Sequence, residues 1–175
     1  MKINFFLNHT FCTVDTDPLR SLADVLRNDF NQTDVKQGCK EGECGACAVL
    51  IEGVTVHSCI YPVVMAQDKK ILTLSGILDT AEYQAIKKGF SDAGSVQCGF
   101  CTPGIVIVCY DMFKRNIKPS RDMLMEHLSG NLCRCTGYNS IFKGVELAFE
   151  YYKKNMVSGG IELRIFFPVT LSQAL

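Results

Sequence analysis

Apolar and polar residues alternate at the start of the chain. Ile3, Phe5 and Leu7 fall on one side of residues 2–7, a period of two that predicts a β-strand. Asn8-His9 predicts a turn, and residues 11–14 a returning strand, so the two form a hairpin. Asp17-Pro18 predicts a helix start, with Asp17 as the cap and Pro18 in the first helical position. Leu19, Leu22, Val25 and Leu26 recur behind it at helical spacing, and the pattern fades between Asn28 and Asn31. Two short apolar runs, 48–51 and 54–59, flank Glu52-Gly53 and predict a second hairpin with Gly53 in its turn. Residues 71–74 supply one more short strand.

After Thr80 the period becomes helical. Helices are expected over 81–88, 102–115, 120–128 and 140–154, with Gly130 stopping the third. The last shows its buried stripe most clearly: Ile141, Val145, Ala148, Phe149 and Tyr152. The change of period implies two units, a small α+β domain over residues 1–76 and a compact four-helix bundle over 77–156, followed by a tail at 157–175.

Composition narrows the function classes. A chain of 175 residues that is 47% hydrophobic and 21% charged is globular. Its formal net charge of zero speaks against a partner held by nucleic-acid phosphates. No apolar run is long enough to span a bilayer, and residues 1–7 run straight into Asn8-His9 without a small-residue cleavage site. We therefore expect no membrane segment and no export signal. No paired acid and base and no nucleophile–base constellation stands out, so no catalytic residue is expected on this chain.

Ten cysteines change the picture most. Without export they imply metal or cluster binding in a reducing compartment, the cytoplasm, rather than disulfides. Cys39, Cys44 and Cys47 follow the spacing C-x4-C-x2-C, and Cys59 comes after eleven further residues, a gap the second hairpin would close. This is the plant-type ligand pattern for a [2Fe–2S] cluster. Four thiolates, two sulfides and two ferric ions sum to a charge of about −2. Gly38, Gly42 and Gly45 let the backbone curl so that its N–H groups approach that anion. Glu41 and Glu43 are expected on a solvated rim.

A second set lies in the helical half: Cys98 and Cys101, then Cys133 and Cys135 after thirty-one residues. Each pair precedes an expected helix start, Thr102-Pro103-Gly104 in one case and Thr136-Gly137-Tyr138 in the other. Two helix N-termini would thus face one anionic centre. Spacing alone leaves two readings open, a second iron–sulfur cluster or a tetrahedral zinc site. None of the three histidines falls inside a ligand set, which disfavours a Rieske-type centre, and His57 is expected on a strand surface. Cys109, in the apolar run 105–109, is expected in the core, and Cys12 has no evident role.

Taken together, Gly38 to Cys47, Cys59, Gln97 to Gly104 and Gly130 to Tyr138 resemble the iron–sulfur subunit of the molybdenum hydroxylases, the family of xanthine dehydrogenase, aldehyde oxidase and carbon monoxide dehydrogenase small subunits. The resemblance covers about residues 2–155. It implies an α+β protein in which a β-grasp, plant-type ferredoxin domain precedes a four-helix bundle. It implies two [2Fe–2S] clusters, one on Cys39, Cys44, Cys47 and Cys59 and one on Cys98, Cys101, Cys133 and Cys135. It further implies that Gln97 contacts molybdopterin, and that electrons run from molybdenum through the bundle cluster and the ferredoxin cluster to FAD. The molybdopterin-binding large subunit and the FAD-binding subunit would be partner chains in a hetero-oligomer, which oxidises a purine or other N-heterocycle. Aldehydes and carbon monoxide are other family substrates. Asn8-His9 stands where many members have Asn-Gly, and the tail resembles the opening of an FAD-binding domain. A free two-cluster ferredoxin serving several partners is the competing reading; the zero net charge disfavours it, because such carriers usually steer encounters by charge.

Overall fold

A computed structural model describes residues 1–158, with side chains as far as Lys154. The tail expected at 157–175 therefore lies almost wholly outside the described residues. Five strands form one mixed sheet: β1 (Lys2–Leu7), β2 (Thr10–Asp15), β3 (Ala48–Ile51), β4 (Val54–His57) and β5 (Lys70–Leu72), in the order β2-β1-β5-β3-β4. β1 runs parallel to β5 and antiparallel to β2, while β3 is antiparallel to both β4 and β5. Both expected hairpins are present. Asn8 and His9 have φ of 47° and 72°, and Glu52 and Gly53 have 50° and 78°, the left-handed pairs that two-residue hairpin turns need. His9 thus adopts a conformation that glycine tolerates more easily.

The first helix is shorter than its sequence pattern. α1 spans Leu22–Asn28 and is capped by Ser21, whose side chain accepts from the Asp24 N–H. Asp17 instead accepts from the Leu19 N–H in a local turn, and Leu19 is exposed. Pro18 therefore opens a turn, not the helix. Leu22, Ala23, Val25 and Leu26 pack on one sheet face with Ile3, Phe5, Leu7, Val49, Ile51 and Ile71.

The opposite face of the sheet explains why β3 reads as an unbroken apolar run. Val49 and Ile51 point to α1, while Ala48 and Leu50 join the core of the helical half. Burial on both faces removes the alternation expected of a half-exposed strand. That half contains α2 (Ala81–Asp92), α3 (Thr102–Lys114), α4 (Arg121–His127) and α5 (Asn139–Ser158). α2 and α5 approach so closely that a Cβ on Gly89 would strike the Gly144 carbonyl, and one on Gly144 would lie 3.1 Å from the Phe90 ring. Phe113 stacks on Tyr152 and meets Phe149 edge-on. Buried Glu82 accepts from Tyr152 Oη at 3.1 Å and from Lys114 Nζ at 3.4 Å. Cys109 is fully buried, as its apolar setting predicts. No described helix is long and apolar enough to cross a membrane.

Candidate metal centres

The first cysteine set sits where α1, the loop after it and the second hairpin meet. The loop 38–47 turns through left-handed residues Lys40, Gly42 and Gly45. A Cβ on Gly38 would lie 3.0 Å from Cys44 Sγ, one on Gly42 would reach Ile60, and one on Gly45 would enter the Gly130 carbonyl. The glycines supply the curvature, and the Gly42 N–H also bonds Cys59, while the donors to Cys39 come from other residues. The backbone N–H groups of Glu41, Glu43 and Cys44 each approach Cys39 Sγ at 3.4 Å. Led by the Glu41 N–H, they pull the Cys39 thiol down to about 6.

The hairpin closes the eleven-residue gap as its pattern requires. β4 pairs with β3, and Ser58 Oγ then donates to the Cys47 carbonyl at 2.6 Å, which seats buried Cys59 beside Cys47. Burial first, then the neighbouring Cys47 thiol, pushes the Cys59 thiol up to about 12. A thiol of that kind gives up its proton only when a cation takes its place.

The second set bridges two loops of the helical half. Cys98 and Cys101 precede α3, and Cys133 and Cys135 precede α5, so both helix starts lie beside the thiols. Cys101 itself stands at the α3 cap position and makes no side-chain cap bond. Cys98 and Cys135 are exposed, with their Sγ atoms 3.6 Å apart. Cys101 and Cys133 face each other deeper in the fold. Burial pushes the Cys101 thiol up to about 12. Burial opposes ionisation of Cys133 too, but the Thr136 hydroxyl at 3.2 Å and the Thr136 and Cys135 N–H groups outweigh it and hold that thiol low.

One thiol pair is fixed by distance, Cys98 with Cys135, while Cys59 neighbours Cys47 and Cys101 neighbours Cys133. A tetrahedral metal with bonds of about 2.3 Å to sulfur holds its thiolates about 3.7 Å apart. The 3.6 Å pair therefore fits one metal. Two pairs per site is the division a diiron centre needs. Among the described residues no three donors close around a single ion.

Several residues around these sets were not legible beforehand. His57 is more than a surface residue: its Nδ1 lies 2.6 Å from the Gly42 carbonyl, which can only accept, so Nδ1 carries the proton. The other edge of the ring faces Gly130. Gly130 is thus a close-approach residue, while α4 ends at His127 with Leu128 as its C-cap. Tyr138, left-handed at φ 68°, receives the Cys133 N–H on its hydroxyl and donates to the Asn131 carbonyl. Gln97 lies next to exposed Cys98 and is itself exposed, with no hydrogen bond seen to its side chain. Glu41 is exposed and Glu43 is also on the open side of the loop.

Known proteins place these observations in a family. Residues 5–75 match the family of the 2Fe-2S iron-sulfur cluster binding domain, and residues 73–146 that of the [2Fe-2S] binding domain. The nicotinate dehydrogenase small FeS subunit of Eubacterium barkeri is 40% identical over 150 residues, covering 86% of this chain and 96% of that protein. The xanthine dehydrogenase iron-sulfur-binding subunit of Escherichia coli O157:H7 is 38% identical over 143 residues, covering 77% of this chain and 89% of that one. Quinoline 2-oxidoreductase from Pseudomonas putida 86 contains a chain of like structure. Its TM-score is 0.81 at 35% identity, covering 88% of this chain and 96% of that chain. With two cluster-binding domains in this order, and relatives aligned over nearly their whole length, the chain belongs to the iron–sulfur subunits of the molybdenum hydroxylase family.

Proposed function

We propose that this chain is the electron-transfer subunit of a molybdopterin-dependent hydroxylase, with one [2Fe–2S] cluster on Cys39, Cys44, Cys47 and Cys59 and the other on Cys98, Cys101, Cys133 and Cys135. The observation that carries this reading is the 3.6 Å approach of the Cys98 and Cys135 Sγ atoms, together with the three N–H groups trained on Cys39 Sγ. When bound, each cluster supplies a one-electron redox centre. The chain's own contribution is to hold eight thiols in two sets, to shield the sheet-side set by burying Cys47 and Cys59, and to leave Cys98 and Cys135 at the surface. Exposed thiols beside Gln97 fit a face on which the molybdopterin-binding large subunit would sit, with Gln97 touching the pterin. The set on the 38–47 loop would face the FAD-binding subunit.

The division near residue 76 into a β-grasp ferredoxin domain and a four-helix bundle is supported by the two separate cores and by the four helices after Thr80. The relatives are named as small subunits of dehydrogenases, which supports a hetero-oligomer. Nicotinate, xanthine and quinoline, the substrates in the relatives' names, are N-heterocycles, and a purine or similar ring is the substrate class we assign.

The test is Cys44→Ser in the assembled complex. Substrate should still reduce the molybdenum, while electron delivery to the flavin stops. If flavin reduction persists at the original rate, the relay through the Cys44 set is wrong; a chain that isolates without large subunits is a free ferredoxin.

A further inference from the structure

The two thiol sets meet at one junction. The Cys44 carbonyl accepts the Leu132 N–H at 3.0 Å, and Leu132 precedes Cys133. One residue forward on the first loop and one back on the second, the Gly45 carbonyl accepts the side-chain amide of Asn131 at 3.2 Å. Asn131 is 2% exposed, a buried amide with its N–H group committed to the other cysteine loop. Around this pair there is no slack. A Cβ on Gly45 would enter the Gly130 carbonyl, and one on Gly104, in the first turn of α3, would enter the Gly45 carbonyl. The Asn131 carbonyl in turn holds Tyr138 Oη, which receives the Cys133 N–H.

We infer that Asn131 is a positioning residue for electron exchange between the two sites. It fixes the register in which the Cys44 carbonyl meets the Leu132 N–H. That contact makes a route without a through-space gap from Cys44 Sγ, along its own backbone, across one hydrogen bond and through the Leu132-Cys133 peptide to Cys133 Sγ. Electrons tunnel more readily through bonded atoms than across gaps. One electron leaves one site as the other gains it; no bond is made or broken and no proton moves. A buried amide that donates to a carbonyl already served by the Ala48 N–H at 3.1 Å is not needed to satisfy that carbonyl. Its contribution is the registry of the two loops. This inference rests on the reading that the eight thiols hold two clusters.

The test compares Asn131→Leu and Asn131→Ala with the parent chain in the assembled, iron-loaded complex. Iron content is measured first, then the EPR spectrum after dithionite reduction, then the rate at which an electron equilibrates between the two sites. Iron should be unchanged, the magnetic interaction between the reduced sites should weaken, and equilibration should slow by about tenfold or more, as small misplacements do in positioned reactions. Unchanged interaction and rate with full iron would overturn the inference. Loss of iron from either site in both variants would also overturn it, and would make Asn131 a folding residue. A parent complex without iron would instead refute the two-cluster reading itself.

Discussion

At the scale of single residues, the decisive feature is how few positions admit a side chain. Gly45 combines a φ of 66° with a Cβ position already filled by the Gly130 carbonyl, so two independent costs fall on one atom. Gly45→Ala should therefore open the junction between the cysteine loops and release iron from the Cys39 set, while Gly53→Ala, at a left-handed turn with open space around it, should only lower the melting temperature. Iron analysis of the two variants checks this; full iron in Gly45→Ala would contradict it. The cysteines and the glycines of the 38–47 loop were legible because a thiolate ligand has no common substitute and tight curvature has few. Asn131, Tyr138 and His57 were not, because a buried hydrogen bond leaves no spacing or period in the sequence. Their partners lie 86, 5 and 15 residues away.

At the scale of elements, hydrophobic period located the five strands and five α-helices among the described residues, and failed mainly at their ends. The first helix begins four residues beyond Pro18 because Asp17 and Ser21 compete to cap, and only Ser21 is followed at once by residues that bury. The packing of α2, α3 and α5 sets a pH limit. Tyr110 and Tyr152 are pushed up to about 12, first by burial and then by the Glu82 charge. A folded-state phenol that keeps its proton above the unfolded value contributes stability below about pH 10, and that contribution disappears as pH rises towards 12. Fully buried Cys109 shifts in the same direction. Melting temperature should fall steeply over that interval, and Tyr152→Phe should flatten part of the fall. Phenolate absorbance near pH 10 that is present in the folded parent chain and missing from Tyr152→Phe would contradict this.

At the scale of the whole molecule, the two halves share more than a linker. β3 gives one face to each core, Asn8 bonds Thr73 at the crossover between the halves, and the cysteine loops lock at Gly45, Asn131 and Leu132. A relay needs such rigidity, since its centres must keep a fixed spacing. The most direct measurement is the metal content of anaerobically purified chain, read together with its EPR spectrum after reduction. About four irons per chain and two distinguishable signals are expected, one of which disappears in Cys44→Ser. Zinc in place of iron, about two irons per chain, or a single signal that Cys44→Ser abolishes entirely would contradict two diiron sites.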